Sequence, residues 1–268
     1  MTLSALTAAL LAAGIEEAEL EARLMLSAVT GASSAALLGA DPDCTDPRLA
    51  DMLSRRVTRE PLAYILGEAP FYRAMLKVTP DCLIPRADTE RLCELAIRHL
   101  PKGAHFCDLC TGSGAIAVTV LSERPDTTAL ATDISAAALA VARENAERLG
   151  VLDRLTLAVA DVLTETPDGT FDAILSNPPY IRRAVVPTLS PEVGHEPTLA
   201  LDGGEDGLVF YRRLLSLSPC LREGGFLLLE CGYDQREELT ALAAEAHLSM
   251  TPYYDYGKNF RGGLLRPL

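Results

Sequence analysis

Apolar positions in the first seventy residues recur at helical spacing. Leu3, Leu6, Leu10 and Leu11 form one stripe, and Ala18, Leu20, Leu24 and Leu26 belong to a second periodic segment with glutamates at its start. A third helix is predicted from Asp46-Pro47, where an aspartate cap precedes proline at the first helical position. None of these residues suggests chemistry, so the helices either dock a partner or brace a neighbour. Between Gly67 and Arg86 the spacing changes: Phe71, Tyr72, Leu76, Val78 and Leu83 are interleaved with polar and turn residues, which suits a β-hairpin. The chain thus divides into a helical domain over 1–70, a hairpin linker over 71–87 and a larger domain over 88–268.

From Asp88 the pattern alternates between strands and helices. Asp88 is expected to cap a helix whose face carries Leu92, Leu95, Ala96 and Leu100. Strands are predicted over 104–109, 129–132, 155–160, 171–176 and 225–230. Helices over 115–122, after Ser135 as far as Gly150, and from about 207 to 221 separate them. Such alternation implies an α/β fold with a mostly parallel sheet, right-handed crossovers and ligands beyond the carboxyl ends of the strands. Residues 248–254 and 262–268 read as a closing hairpin at a sheet edge.

With 268 residues, 49% of them hydrophobic, the chain can bury one large core and a smaller one. Its formal charge of −13, with only three lysines (Lys77, Lys102 and Lys258), disfavours binding that rests on many phosphate contacts. Seven cysteines, an odd number in a chain of this size, point to reduced thiols and a cytoplasmic protein. No apolar run reaches the ~18 residues of a membrane span.

Candidate chemistry begins where the first parallel strand ends. Gly112-Ser113-Gly114-Ala115-Ile116-Ala117 reads as G-x-G-x-x-A, and Asp133 follows nineteen residues after Gly114, at the end of the next strand. Glycines let the backbone approach a nucleoside, and the carboxylate accepts from ribose hydroxyls; a tight turn needing small residues is the plainer alternative. Asp108 bears on which nucleoside. A buried carboxylate before the turn repels a pyrophosphate but attracts the cationic amino-acid end of S-adenosylmethionine, directly or through water. At the third strand end Asp161 either accepts from the adenine amine or caps a helix, and Val162 can pack on the base or donate its backbone N–H to the base edge.

The fourth strand ends in Asn177-Pro178-Pro179-Tyr180. Two prolines remove two backbone donors and leave fixed carbonyls. The Asn177 side-chain oxygen and the Pro178 carbonyl can together take both hydrogens of a planar NH₂ group, with the Tyr180 ring over its face. Amides and aryl amines are poor nucleophiles, and such acceptors orient the nitrogen and stabilise the charge that develops on it.

Together these residues resemble the release-factor glutamine N5-methyltransferases. Further markers are 61–67 with Phe71, 83–90, Glu196-Pro197 with 199–204, Leu229-Glu230-Cys231-Gly232, and Asp255, Gly257 and Arg261. The resemblance covers essentially the whole chain. It implies a Rossmann-like class I methyltransferase domain with a seven-stranded, mostly parallel sheet and a small N-terminal α-helical domain. It also implies S-adenosylmethionine as cofactor, held by Cys110, Thr111, Gly112, Ser113, Gly114, Asp133, Val162 and Asn177, with Asp108 and Asp161 assigned from the residues themselves. Asn177, Pro178, Pro179 and Tyr180 would hold the substrate glutamine of a peptide chain release factor. Cys110 stands where the family has glycine, and Ala87 where it has proline. A monomer is expected, with no stable nucleic-acid complex and no membrane attachment. The alternative substrate is the N6 amine of adenine in DNA or RNA, which the same Asn177 cradle serves; a sensor that binds the nucleoside without catalysis has no use for that cradle.

Three features carry less. Cys107-x-x-Cys110 has metal or redox spacing but no second pair, so no metal site is expected. His195 reads as a structural loop histidine, since a sulfonium electrophile needs little help from a base. Arg55-Arg56 with Arg59 is either a docking patch or a solvated helix face.

Overall fold

The computed structural model describes all 268 residues, which fall into two compact units: Met1–Glu68 with Ser190–His195, and Ala69–Leu189 with Glu196–Leu268. The smaller unit contains α1 (Leu3–Ala12), α2 (Ala18–Thr30), α3 (Pro47–Val57) and α4 (Leu62–Leu66). Asp46 caps α3 as expected, accepting from the Arg48 N–H at 2.9 Å. Leu6, Leu10, Met25, Leu26 and Leu49 fill its core. Within the arginine cluster Arg56 is not on a solvated face, and all three arginines are held by ion pairs. Arg56 is only 4% exposed and binds Glu21 at 2.6 Å and Glu192 at 3.1 Å, Arg59 donates to Glu192 at 2.9 Å, and Arg55 pairs with Glu60. These ion pairs hold the 190–195 segment within the helical unit.

The larger unit opens with a hairpin, β1 (Glu68–Phe71) and β2 (Ala74–Lys77), and α5 (Ala87–His99). Asp88 does not cap α5; Arg86 occupies that position without a side-chain cap, and Asp88 lies in the first turn, 2.8 Å from Arg261. There follow β3 (His105–Leu109), α6 (Ala115–Glu123), β4 (Thr128–Asp133), α7 (Ala136–Arg148), β5 (Leu155–Val159), β6 (Phe171–Ser176), α8 (Val209–Leu215), β7 (Leu221–Glu230), α9 (Arg236–Glu245), β8 (Leu248–Tyr254) and β9 (Phe260–Pro267). Ser135 caps α7, accepting from Ala138 N–H at 3.1 Å. Helix α8 is shorter than its periodicity predicts, because Pro219 removes a helical donor and only a single 3₁₀ turn, Ser218–Cys220, continues toward β7.

The seven-stranded sheet has the order β5-β4-β3-β6-β7-β9-β8; β3 to β7 run parallel, and the closing hairpin is antiparallel, with β9 between β7 and β8. The fold class is the one expected. Phe106, Ala173, Leu175, Phe226 and Leu228 pack on one face with α5 and α6, while Leu109, Ile174, Leu227 and Leu229 pack on the other with Tyr211, Leu214 and Leu239 of α8 and α9. No helix is long and apolar enough to cross a membrane.

Gly262 carries the closing hairpin past the end of β7. Its φ is +145°, and an added Cβ would lie 1.9 Å from the Leu229 carbonyl oxygen. Gly262→Ala is therefore expected to destabilise the protein by roughly 3 kcal/mol, the upper part of the range for overpacking, measured by urea denaturation. A loss below about 0.5 kcal/mol would show that the strand moves aside freely.

Candidate active site

A cavity of about 220 Å³ opens at the carboxyl edge of the parallel strands. Its floor is the β3–α6 turn, where Cys110 (φ +60°), Gly112 (φ +55°) and Gly114 (φ +80°) all take left-handed backbone conformations. Glycine adopts these without cost, whereas a side chain at Cys110 costs roughly 1–2 kcal/mol. A glycine at this position would avoid that cost. Gly114 has a second role: a Cβ there would sit 2.9 Å from the Ala142 Cβ, so its absence allows α6 and α7 to approach.

Two carboxylates hold this turn. Asp133, at the end of β4, accepts from Gly112 N–H at 2.8 Å and from Ser135 N–H at 2.9 Å. Burial raises its pKa and these N–H groups oppose the rise. Asp108 lies beneath the turn with no exposure. Its Oδ2 accepts from the Thr111 hydroxyl at 2.6 Å and the Ala117 N–H at 3.2 Å, while its Oδ1 has no partner. Burial pushes this carboxyl up to about 7.

Of the residues singled out in the sequence, Cys110, Thr111, Gly112, Ser113, Asp133, Asp161, Val162, Asn177 and Pro179 line the cavity. Asp108, Gly114, Pro178 and Tyr180 are not among its lining residues. Asp161 both lines the cavity and closes a turn, accepting from Leu163 N–H at 2.9 Å. Asn177 follows β6 and donates from Nδ2 to the Thr89 hydroxyl oxygen at 3.0 Å. Cys107 is fully buried in β3, where burial raises its thiol well above the usual range, as suits a core residue. His195 groups with the helical unit and forms no part of the cavity wall.

The structure adds residues to which the sequence reading gave no role. Gln235 donates to the Tyr180 carbonyl at 3.1 Å and accepts from Gly232 N–H at 2.9 Å, so one buried amide fixes the segment after the two prolines. Gly203 lets the backbone of Tyr180 pass, since a Cβ there would lie 2.7 Å from Tyr180 Cα. Glu196 accepts from Ile84 N–H at 3.0 Å and from Arg86 at 2.5 Å, which pins the segment that supplies Leu83, Pro85 and Arg86 to the cavity. The Glu196-Pro197 pair was visible in the sequence, but only as a marker without a function.

Two family models match the chain, the methyltransferase small domain over residues 88–196 and the PrmC N-terminal domain over residues 2–67. The release factor glutamine methyltransferase of Caulobacter vibrioides is 41% identical over 244 residues, covering 86% of this chain and 82% of that protein. The release factor glutamine methyltransferase of Cereibacter sphaeroides is 44% identical over 246 residues, covering 90% and 87%. A methyltransferase from Pyrococcus furiosus, 19% identical, matches in fold with a TM-score of 0.54 over 71% of this chain and 86% of that one.

The buried carboxyl of Asp108 generates a pH test. Its pKa is raised from 3.8 to about 7 on folding, so the folded state retains a proton that the unfolded chain has lost. Its contribution to stability is fully present below pH ~4 and is lost as pH rises toward 7. Asp108→Asn keeps an acceptor for Thr111 and Ala117 but cannot ionise. Its thermal midpoint is expected to gain on the wild type as pH rises from 5 to 8. A difference that is constant across this range would contradict the assignment.

Proposed function

Because the chain belongs to the release factor glutamine methyltransferase family, we propose that it transfers a methyl group from S-adenosylmethionine to the side-chain nitrogen (N5) of the glutamine in the Gly-Gly-Gln loop of peptide chain release factors. The observation that carries this reading is that Asn177 and Pro179 share one cavity with the Gly112 turn and Asp133. An acceptor for an amide thus adjoins a nucleoside-binding turn.

The residues present fit the cofactor. The unpartnered Asp108 Oδ1, enclosed beneath the turn, is an acceptor suited to an ammonium group reached through a water. Each Asp133 oxygen spends one lone pair on a backbone N–H and keeps another for a ribose hydroxyl. Asp161 and Val162 stand on the wall to meet adenine. When bound, S-adenosylmethionine supplies an electrophilic sulfonium methyl group. Asn177 Oδ1 and the Pro178 carbonyl take the two hydrogens of the glutamine NH₂ and orient its nitrogen. These acceptors stabilise the positive charge that grows as the nitrogen forms its new bond, and the surplus proton then leaves to water. Tyr180 backs the cradle; its backbone is held by Gln235, and burial pushes its hydroxyl far above the ordinary range, so it stays protonated and is no base.

The test uses methyl-labelled S-adenosylmethionine with a release factor, the same factor with its Gly-Gly-Gln glutamine changed to alanine, and adenine-containing single- and double-stranded oligonucleotides. Label is expected in the unmodified factor alone, because a chain of charge −13 disfavours polyphosphate. Label in the oligonucleotides and none in the factor would replace glutamine by adenine as the substrate.

A further inference from the structure

Asn145 is the one polar residue on the buried face of α7, among Ala138, Leu139, Val141, Ala142 and Ala146, and it has no exposure. An amide costs free energy to bury unless its polar atoms find partners, and alanine or leucine favours a helix more. Its hydrogen bonds give the reason for its presence. Oδ1 accepts from the Lys77 N–H of β2 at 2.7 Å, while Nδ2 donates to the Lys77 carbonyl at 3.0 Å and to the Ser113 carbonyl at 2.9 Å. The two hydrogens of one carboxamide are thus divided between the linker hairpin and the turn that floors the cavity.

The Ser113 carbonyl belongs to the peptide that joins Ser113 to Gly114, and the N–H of that peptide donates to the Thr111 carbonyl at 2.9 Å. Gly112 and Gly114 flank Ser113 and tolerate many backbone conformations, so the turn's own sequence does not select one. If the peptide flipped, its N–H would replace its carbonyl against the Asn145 NH₂, donor facing donor. Turning the carboxamide to compensate would set the same NH₂ against the Lys77 N–H. Asn145 is therefore satisfied by one orientation of the Ser113–Gly114 peptide. Helix α7 comes close enough because Gly114 has no Cβ: one added there would lie 2.9 Å from the Cβ of Ala142, which precedes Asn145 by one turn on the same face.

We propose that Asn145 is a positioning residue for the cofactor, which fixes the Ser113–Gly114 peptide and ties the turn to β2, so that cofactor binding and order at Lys77 reinforce each other. The proposal rests on the reading of the Gly112 turn as the seat of S-adenosylmethionine. Asn145 does not line the cavity and touches no reacting atom. A turn already set spares the ligand the cost of ordering it, and coupling between two sites is reciprocal.

Asn145→Leu keeps the bulk and removes all three hydrogen bonds; Asn145→Ala is the milder companion, because it leaves space for water beside the two carbonyls. Affinity for S-adenosylmethionine by calorimetry is expected to fall about tenfold, the scale of one lost neutral hydrogen bond. KM for the cofactor should rise in parallel, with kcat at saturating cofactor within about threefold of wild type. A plain brace would lower the thermal midpoint equally with and without the cofactor and leave affinity unchanged, and that result would overturn the proposal. The wild type supplies a test that needs no variant. Its Lys77 amide hydrogen is expected to exchange about threefold or more slowly once S-adenosylmethionine is bound, beyond any slowing shared by all amides. Exchange at Lys77 indifferent to the cofactor would overturn the proposal even if neither variant folds. A wild type that binds no S-adenosylmethionine would instead remove the cofactor reading, and the proposal with it.

Discussion

The active edge depends on one row of paired residues. Leu109 of β3 pairs with Thr132 of β4 and Ser176 of β6, and Ser176 pairs with Leu229 of β7. The residues that follow this row are Cys110, Asp133, Asn177 and Glu230. In a parallel sheet a register shift of one residue would reverse the facing of every side chain, and these four would no longer meet. Hydrogen bonds outside the ladder lock the row: the Ser176 hydroxyl donates to the Leu109 carbonyl at 2.6 Å, and Thr111 N–H donates to the Thr132 carbonyl at 3.0 Å. The turn and the places of Asp133 and Asn177 on one cavity wall are consequences of this register.

The same row carries an electrostatic cost. Asp108 and Glu230 are fully enclosed carboxyls pushed up to about 7, each with one oxygen left unpartnered. Such groups are tolerated in a core when surrounding packing is strong enough to offset them. Here that packing is the two-faced core of β3, β6 and β7 between α5, α6, α8 and α9. Rigid strands thus hold acceptors that loops could not place as closely, and the carboxyls lower stability in return.

What could be read from the sequence was whatever is local. Gly112, Gly114 and Asp133 announce themselves by spacing within one strand-turn-helix-strand unit, and Asn177 to Tyr180 by two prolines that allow few conformations. The sheet followed from alternating apolar runs. Partnerships across the chain were hidden: Thr89 lies 88 residues from Asn177, Gln235 lies 55 from Tyr180, and Glu196 lies 112 from Ile84. No periodicity encodes such pairs. Asp88 misled because an acidic residue in a first helical turn resembles a cap, and Arg56 because an arginine pair on a helix resembles a surface patch until Glu21 and Glu192 are brought to it.

On this reading Asn177 acts mainly on the developing charge of the substrate nitrogen and only secondarily on retention of the cofactor. Asn177→Ala measures it most directly, with turnover on the release factor and cofactor affinity by calorimetry determined on the same preparation. Turnover is expected to fall by about 10²–10³, the loss typical of one preorganised electrostatic contact, while cofactor affinity changes by no more than about threefold. Turnover that survives within a few-fold, or that falls only in step with cofactor affinity, would contradict the account.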